Sequence, residues 1–266
     1  MKFISIKNLL LFIFLSALYA GCSKDSPSQP IVPPQLSIDS VSCSDNAEIT
    51  INKMMLQNNV WGKGSITNYQ QCIRVIKNDT STIFQWQWSW PDVTNNVKAY
   101  PEIIFGLKPF GGSSTTESLP KKIQEITECV VSASQCSTDI FGEGNLAYDI
   151  WITDSESPTQ NNIKSEIMIW LKYIGQQPAG SFVERLNIGN QDYDFYSGNN
   201  GTWDYHAFLK VNQSDLDSTN IKSFMDYLVM NSYISTDQYL SSIEFGNEII
   251  KGSGNTVLKD YQVRLK

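Results

Sequence analysis

Three acidic residues sit at strand spacing among aromatic and thioether neighbours: Asp149 in Asn145–Ile152, Glu166 in Ser165–Tyr173 and Glu248 in Ser241–Ile250. Successive side chains of a strand alternate between its faces, so each stretch can be read for what shares a surface. In the middle stretch Ile167, Ile169, Leu171 and Tyr173 form one face, which reads as core. Glu166, Met168, Trp170 and Lys172 form the other, which reads as the floor of a groove, because an acid beside a thioether and an indole is an unusual set for a merely solvated face. The first stretch repeats the arrangement, with Leu146, Tyr148, Ile150 and Ile152 on one face and Asn145, Ala147, Asp149 and Trp151 on the other. Side by side, these two strands put Asp149 near Glu166. In the third stretch Ile243, Phe245 and Ile249 oppose Ser242, Glu244, Gly246 and Glu248. Gly246 admits a ligand or a neighbouring backbone at close range, and Glu244 is a possible groove contact.

Two inward-facing carboxylates among aromatics suit cleavage of a glycosidic bond, in which one carboxyl attacks or activates and the other protonates the leaving oxygen. The chain has one histidine, His206, which is expected to be a satisfied surface residue on a strand, and no cysteine pair at metal-ligand spacing. A zinc site or a histidine-dependent nucleophile therefore lacks support, and no metal or cofactor is expected. The formal net charge of -7 argues against a nucleic-acid partner, which needs clustered Lys and Arg, and favours a neutral one.

The elements that must hold these acids are strands. Aromatics make up 12% of the 266 residues and charged side chains 18%, with Gly, Asn, Ser and Thr between short β-branched and aromatic runs, as in one large all-β domain. Strands are expected at Gln71–Ile76, Ile83–Trp90, Val97–Phe105, Phe182–Ile188, Tyr193–Tyr196 and Trp203–Val211, with Asn199-Asn200-Gly201 as a hairpin turn. The stretch Thr153–Lys164, rich in Ser, Asn, Asp and Pro, reads as the loop between the two acid-bearing strands. Trp86, Trp88 and Trp90 share one face, which is expected to be an exposed row covered by the flat faces of sugars, unless one or two of the indoles are core. Ile123–Val131 is open between strand and helix. Only Ser218–Met230 reads as a helix, with Ile221, Phe224, Met225 and Leu228 on one stripe.

Residues 1–22 have the form of a bacterial export signal: Lys2 and Lys7, an apolar run Leu9–Leu18, and small residues ending in Cys22, an ending that resembles a lipoprotein signal in which Cys22 is lipidated. Residues 23–35, with Pro27, Pro30, Pro33 and Pro34 among Ser and Gln, form a linker, and the folded domain is expected over 36–266. The protein is thus expected to be exported, monomeric, and attached to the outer membrane or cell surface only through its N-terminal lipid. The other four cysteines, Cys43, Cys72, Cys129 and Cys136, allow three pairings. Cys43–Cys72 and Cys129–Cys136 are favoured, the first because the intervening strand and turn return the chain to its start.

Five segments, in this order, resemble glycoside hydrolase family 12: Asn59-Val60-Trp61-Gly62, Val97-Lys98-Ala99-Tyr100-Pro101, Asn145-Leu146-Ala147-Tyr148-Asp149-Ile150-Trp151, Glu166-Ile167-Met168-Ile169-Trp170-Leu171, and Gly246-Asn247-Glu248 followed by Gly252-Ser253-Gly254. The resemblance spans roughly Ser42–Leu265. It implies a β-jelly roll of two curved antiparallel sheets and a retaining endo-β-1,4-glucanase acting on xyloglucan, mixed-linkage glucan or soluble cellulose. By motif it implies Glu166 as nucleophile, Glu248 as acid/base and Asp149 as the residue hydrogen-bonded to the nucleophile. Asn59 and Trp61 then match positions that grip sugar on the non-reducing side of the cut, and Asn145, Met168 and Trp170 match groove-lining positions. The chain departs from the family at Ile249 and Ile250, where Pro and an aromatic are usual, and at Tyr193, where Trp is common; both bear on substrate preference. Two alternatives remain: a surface glycan-binding lipoprotein without chemistry, and an endo-xylanase on a related jelly roll.

Overall fold

The computed structural model describes residues 37–266. The expected signal over 1–22 with Cys22, the linker over 23–35 and residue 36 lie outside the described residues. The chain runs through β1 (Ile38–Ser42), β2 (Glu48–Ile51), β3 (Met54–Gln57), β4 (Gln70–Lys77), β5 (Thr82–Trp90), β6 (Glu102–Gly106), β7 (Lys121–Lys122), β8 (Cys129–Ser132) and the long β9 (Gln135–Thr153). It continues with β10 (Ile163–Ile174), β11 (Ser181–Ile188), β12 (Gln191–Asn199), β13 (Asp204–Lys210), β14 (Ser218–Asn220), α1 (Ile221–Met230), β15 (Tyr239–Gly246), β16 (Ile249–Lys259) and β17 (Gln262–Leu265).

Strand β9 organises the rest. Its first half, up to Gly144, pairs with β16, behind which lie β5, β4 and β1. Its second half pairs with β10 on one side and β15 on the other. Gly142, with φ of 135°, lies at the change-over, where a Cβ would meet the Lys251 carbonyl at 2.3 Å. The strand bends there, and the single ladder curls into the two layers of a jelly roll around one core. Among the described residues all strand pairings are antiparallel except β10 with β13. The small sheet β14-β8-β17 and α1 close one side.

The core explains the strand pattern. Ile167, Ile169 and Leu171 are buried against Tyr148, Ile150 and Phe245, and the helix buries the expected stripe of Ile221, Phe224, Met225 and Leu228. Trp86, Trp88 and Trp90 are at most 5% exposed, so they form no sugar-binding row. Strand β5 lies between β4 and β16, with its Gln85, Gln87 and Ser89 face outward, and the indoles fill the space between the layers. Buried indole N–H groups need acceptors, and two find them: Trp86 Nε1 donates to Asn247 Oδ1 (2.7 Å) and Trp90 Nε1 to Gln71 Oε1 (2.9 Å). His206 is buried rather than on the surface, hydrogen-bonded through Nδ1 to Ser197 Oγ, and burial pulls its pKa down to about 4. Ile123–Val131 resolves into a 3-10 turn at Ile123–Glu125 followed by β8. Cys43 and Cys72 are bonded. The second expected pair is not: Cys129 and Cys136 are free thiols, because Cys129 lies opposite Leu265 in the small sheet while Cys136 lies opposite Leu258 in the large one.

Candidate active site

Strand β9 is flanked by two acid-bearing strands. In register, Asp149 faces Met168 of β10 on one side and Glu244 of β15 on the other, while Glu166 faces Trp151. Asp149 and Glu166 are therefore diagonal neighbours on one face, as their parity predicts. Glu248 lies in the two-residue break between β15 and β16, so the expected continuous strand Ser241–Ile250 is instead two strands around a bend. Gly246 precedes it, where a Cβ would lie 2.3 Å from the Pro101 carbonyl; the close neighbour that needs this glycine is backbone. Asp149, Glu166 and Glu248 line one groove of about 730 Å³, together with Asn59, Trp61 and Trp203. Met168 and Trp170 form its buried floor, with Met168 Sδ accepting from Trp170 Nε1 and Tyr205 Oη at 3.3 Å each.

Each carboxylate has its own support. Glu166 Oε2 accepts from Trp203 Nε1 at 2.8 Å. Trp203 is presented by the predicted hairpin turn, in which Asn200 Oδ1 accepts from the backbone N–H groups of Thr202 and Trp203, both at 3.0 Å. Glu248 Oε2 accepts from Asn145 Nδ2 and from Gln176 Nε2 (2.8 Å), which leaves Oε1 without a protein partner. Gln176 reaches the groove for a topological reason. The pairing registers make β10 and β11 point the same way, with Ser181 level with Ile167. Residues 175–180 must therefore run back toward that level, and Gln176, Gln177, Pro178 and Ala179 line the groove as a strap across it. Asn145 is fully buried and does not line the groove, contrary to its expected substrate-binding role. Its side chain holds the acid instead.

Taking these acids out of water sets their proton affinities. Burial pushes Glu166 up to about 7, with the Trp203 N–H opposing and the Glu248 charge adding to the rise. Glu248 is raised by burial, against the donors Asn145 and Gln176. Asp149 is raised well above the usual carboxylate range, by burial first and then by the Glu166 charge, and its Oδ1 has no hydrogen-bond partner among the described residues. Glu244 makes a charge network rather than an open contact: Lys108 Nζ lies 3.2 Å from Glu244 and 2.7 Å from Glu102, and these two acids hold the buried ammonium in its charged form. Asn59 Nδ2 joins the network through Glu102 at 2.8 Å.

Residues 52–265 match the family described as Glycosyl hydrolase family 12. The chain belongs to that family. Endoglucanase S of Pectobacterium parmentieri is 32% identical over 241 residues, covering 87% of this chain and 90% of that one. Xyloglucan-specific endo-beta-1,4-glucanase A of Emericella nidulans is 27% identical over 220 residues, 81% of this chain and 86% of that one. Among solved structures, the family 12 xyloglucanase from Bacillus licheniformis in complex with ligand superposes with a TM-score of 0.77 at 28% identity, over 85% of this chain and 100% of that one.

In this family 12 domain the structure gathers Glu166, Glu248, Asp149, Asn59, Trp61, Met168 and Trp170 at one groove and leaves Asn145 behind it. Sequence reasoning missed Trp203, Gln176 and Lys108. None of them follows from strand parity: Trp203 sits in a turn, Gln176 on the strap and Lys108 just beyond β6. Trp203 carried one signal, an indole two residues after Asn199-Asn200-Gly201, where a turn presents side chains at the end of a sheet.

Proposed function

We propose that the protein is a retaining endo-β-1,4-glucanase in which Glu166 attacks the anomeric carbon while Glu248 protonates the departing oxygen. The attack forms a glycosyl–Glu166 ester and breaks the glycosidic bond; Glu248, now ionised, takes a proton from water, which hydrolyses the ester and restores both residues. The observation that carries this reading is the unlike support of the two acids. Trp203 donates to Glu166 and favours its ionised, attacking form, while Glu248 keeps Oε1 free of protein partners to hold and return a proton. Asp149, buried and diagonal to Glu166, is assigned the supporting position beside the nucleophile. Loss of the Glu166 charge on ester formation lowers the proton affinity of Glu248, which suits its change from acid to base.

Relatives named endoglucanase and xyloglucan-specific endo-beta-1,4-glucanase support β-1,4-glucan as the substrate class, with xyloglucan, mixed-linkage glucan and soluble cellulose as candidates. A pure glycan-binding role has no use for three acids desolvated side by side. Attachment through lipidated Cys22, a tether over 23–35, a catalytic domain over 36–266, display at the outer membrane or cell surface, and a monomeric state complete the proposal. Radiolabelled fatty acid should enter the parent and not Cys22→Ser. Reducing-sugar release is expected from xyloglucan or mixed-linkage glucan, is expected to vanish in Glu166→Gln while glucan binding survives, and is not expected from xylan. An inactive parent that still binds glucan would favour the glycan-binding alternative.

A further inference from the structure

The groove is not the largest hollow of the molecule. A second, of about 990 Å³, lies on the outward face of the layer formed by β4, β5, β16 and the first half of β9. Strand registers order its floor: Gln70, Ser89, Ser253 and Phe141 stand opposite one another in a row across the four strands. Gln87 and Asn255 continue the next row. Neighbouring strands are about 4.8 Å apart, close to the advance per sugar along an extended β-1,4 chain, so a chain laid across the strands meets one polar side chain per residue. Gln70, Gln87, Ser89 and Ser253 make no side-chain hydrogen bond within the described residues, and their amides and hydroxyls are free for sugar hydroxyls. At the end of the row Phe141 is 68% exposed, a ring standing beside polar side chains where a pyranose can stack.

Charge favours a neutral occupant. The ionised groups on this wall, Lys63 and Asp45, neutralise each other in a salt bridge. Position ties the hollow to the groove: Asp45 and Lys63 line the hollow, while their near neighbours Asn46 and Trp61 line the groove, so the β1–β2 and β3–β4 loops, joined by the Lys63–Asp45 bridge and by the Val60 N–H to Asn46 Oδ1, form the common wall of both. The Cys43–Cys72 bond pins the β1–β2 loop to β4. We infer that the outward face of this layer is a second binding site for a β-glucan chain, which holds the polymer beyond the Asn59/Trp61 end of the groove. The inference rests on the reading of the groove as a β-glucanase.

The test compares the parent with Phe141→Ala and Phe141→Ala/Gln87→Ala on cellotetraose, which fills only the groove, and on polymeric xyloglucan and mixed-linkage glucan. Cellotetraose turnover should be unchanged in both variants, while KM on a polymer should rise roughly three- to tenfold as the local concentration of chain is lost. Migration of the parent in gels containing the polymer should be retarded, that of the double variant less so, and Phe141→Trp should restore it. Equal polymer KM and equal retardation in parent and double variant would overturn the second site, as would loss in Phe141→Ala that Phe141→Trp does not restore. Absence of cellotetraose and polymer turnover in the parent would instead sink the groove reading, and the gels would still decide the second site.

Discussion

Asn145 and Glu248 are joined at three places: the Asn145 N–H donates to the Glu248 carbonyl (3.0 Å), the Glu248 N–H donates to Asn145 Oδ1 (3.0 Å), and Asn145 Nδ2 donates to Glu248 Oε2. Behind them Asn247 Nδ2 donates to the Asn145 carbonyl (2.7 Å), and Asn247 Oδ1 accepts from Trp86. A buried chain thus runs from the core indole to the carboxylate on the groove.

Asn145→Asp tests that chain. The new carboxylate is nearly isosteric but offers an acceptor where Glu248 needs a donor, so Glu248 should hold its proton to higher pH and sit less firmly. Turnover of glucan should fall roughly 10²-fold, the effect of a misplacement of about 1 Å, with the alkaline limb of the pH–rate profile moved upward. The profile and kcat on one soluble glucan measure both.

Trp203→Phe and Gln176→Leu should move opposite limbs. The Trp203 N–H favours ionised Glu166, so its removal raises the Glu166 pKa, already pushed up to about 7, and the acid limb shifts to higher pH. Removing the Gln176 donor raises Glu248, which extends activity on the alkaline side. The limbs belong to the coupled pair, so the direction of each shift is the readout.

Lys108→Met should destabilise the fold in a pH-dependent way. The ammonium is shared by Glu102 and Glu244, both at most 1% exposed, and removing it leaves buried acids without a counter-charge. Loss of a partner from such a network costs about 3–5 kcal/mol near pH 7. Glu244 is already raised by burial, so it takes up a proton as pH falls and the cost shrinks toward acid pH. Denaturant melts of parent and variant at pH 4.5 and 7.5 measure the difference.

Cys43→Ser/Cys72→Ser opens a loop of sequence separation 29 that carries Asn59 and Trp61. Chain entropy assigns this cross-link about 3.5 kcal/mol. The variant should melt earlier and show a higher KM with kcat little changed, since the acids stand on other strands. Free Cys129 and Cys136, changed to Ala and Ser respectively, should leave KM where it was.

Parity made the acidic face legible in the sequence, because Asp149 and Glu166 lie on uninterrupted strands where alternation fixes direction. It failed at Trp86, Trp88 and Trp90, whose common face was visible but not which layer it met; a strand between two neighbours in a sandwich hides its large side, and these indoles are core. It failed at Asn145 for a related reason: next to Gly144 at the bend of β9, the side chain turns to the Glu248 backbone instead of the groove. His206 shows the same limit, since β13 is covered on that face by the rings of Phe195 and Tyr233, contacts distant in the chain. Trp203 and Gln176 belong to a turn and a strap whose positions depend on the whole topology.

The assignment of roles to Glu166 and Glu248 is the central claim, and azide rescue with an activated aryl β-cellotrioside tests it most directly. In Glu166→Gly the anion should enter from the vacated side with one inversion and give the α-glycosyl azide. In Glu248→Gly the ester on Glu166 should still form, and azide should displace it to give the β-glycosyl azide. The products, read by NMR, agree with the account in that pattern; the β-azide from Glu166→Gly or the α-azide from Glu248→Gly would contradict it.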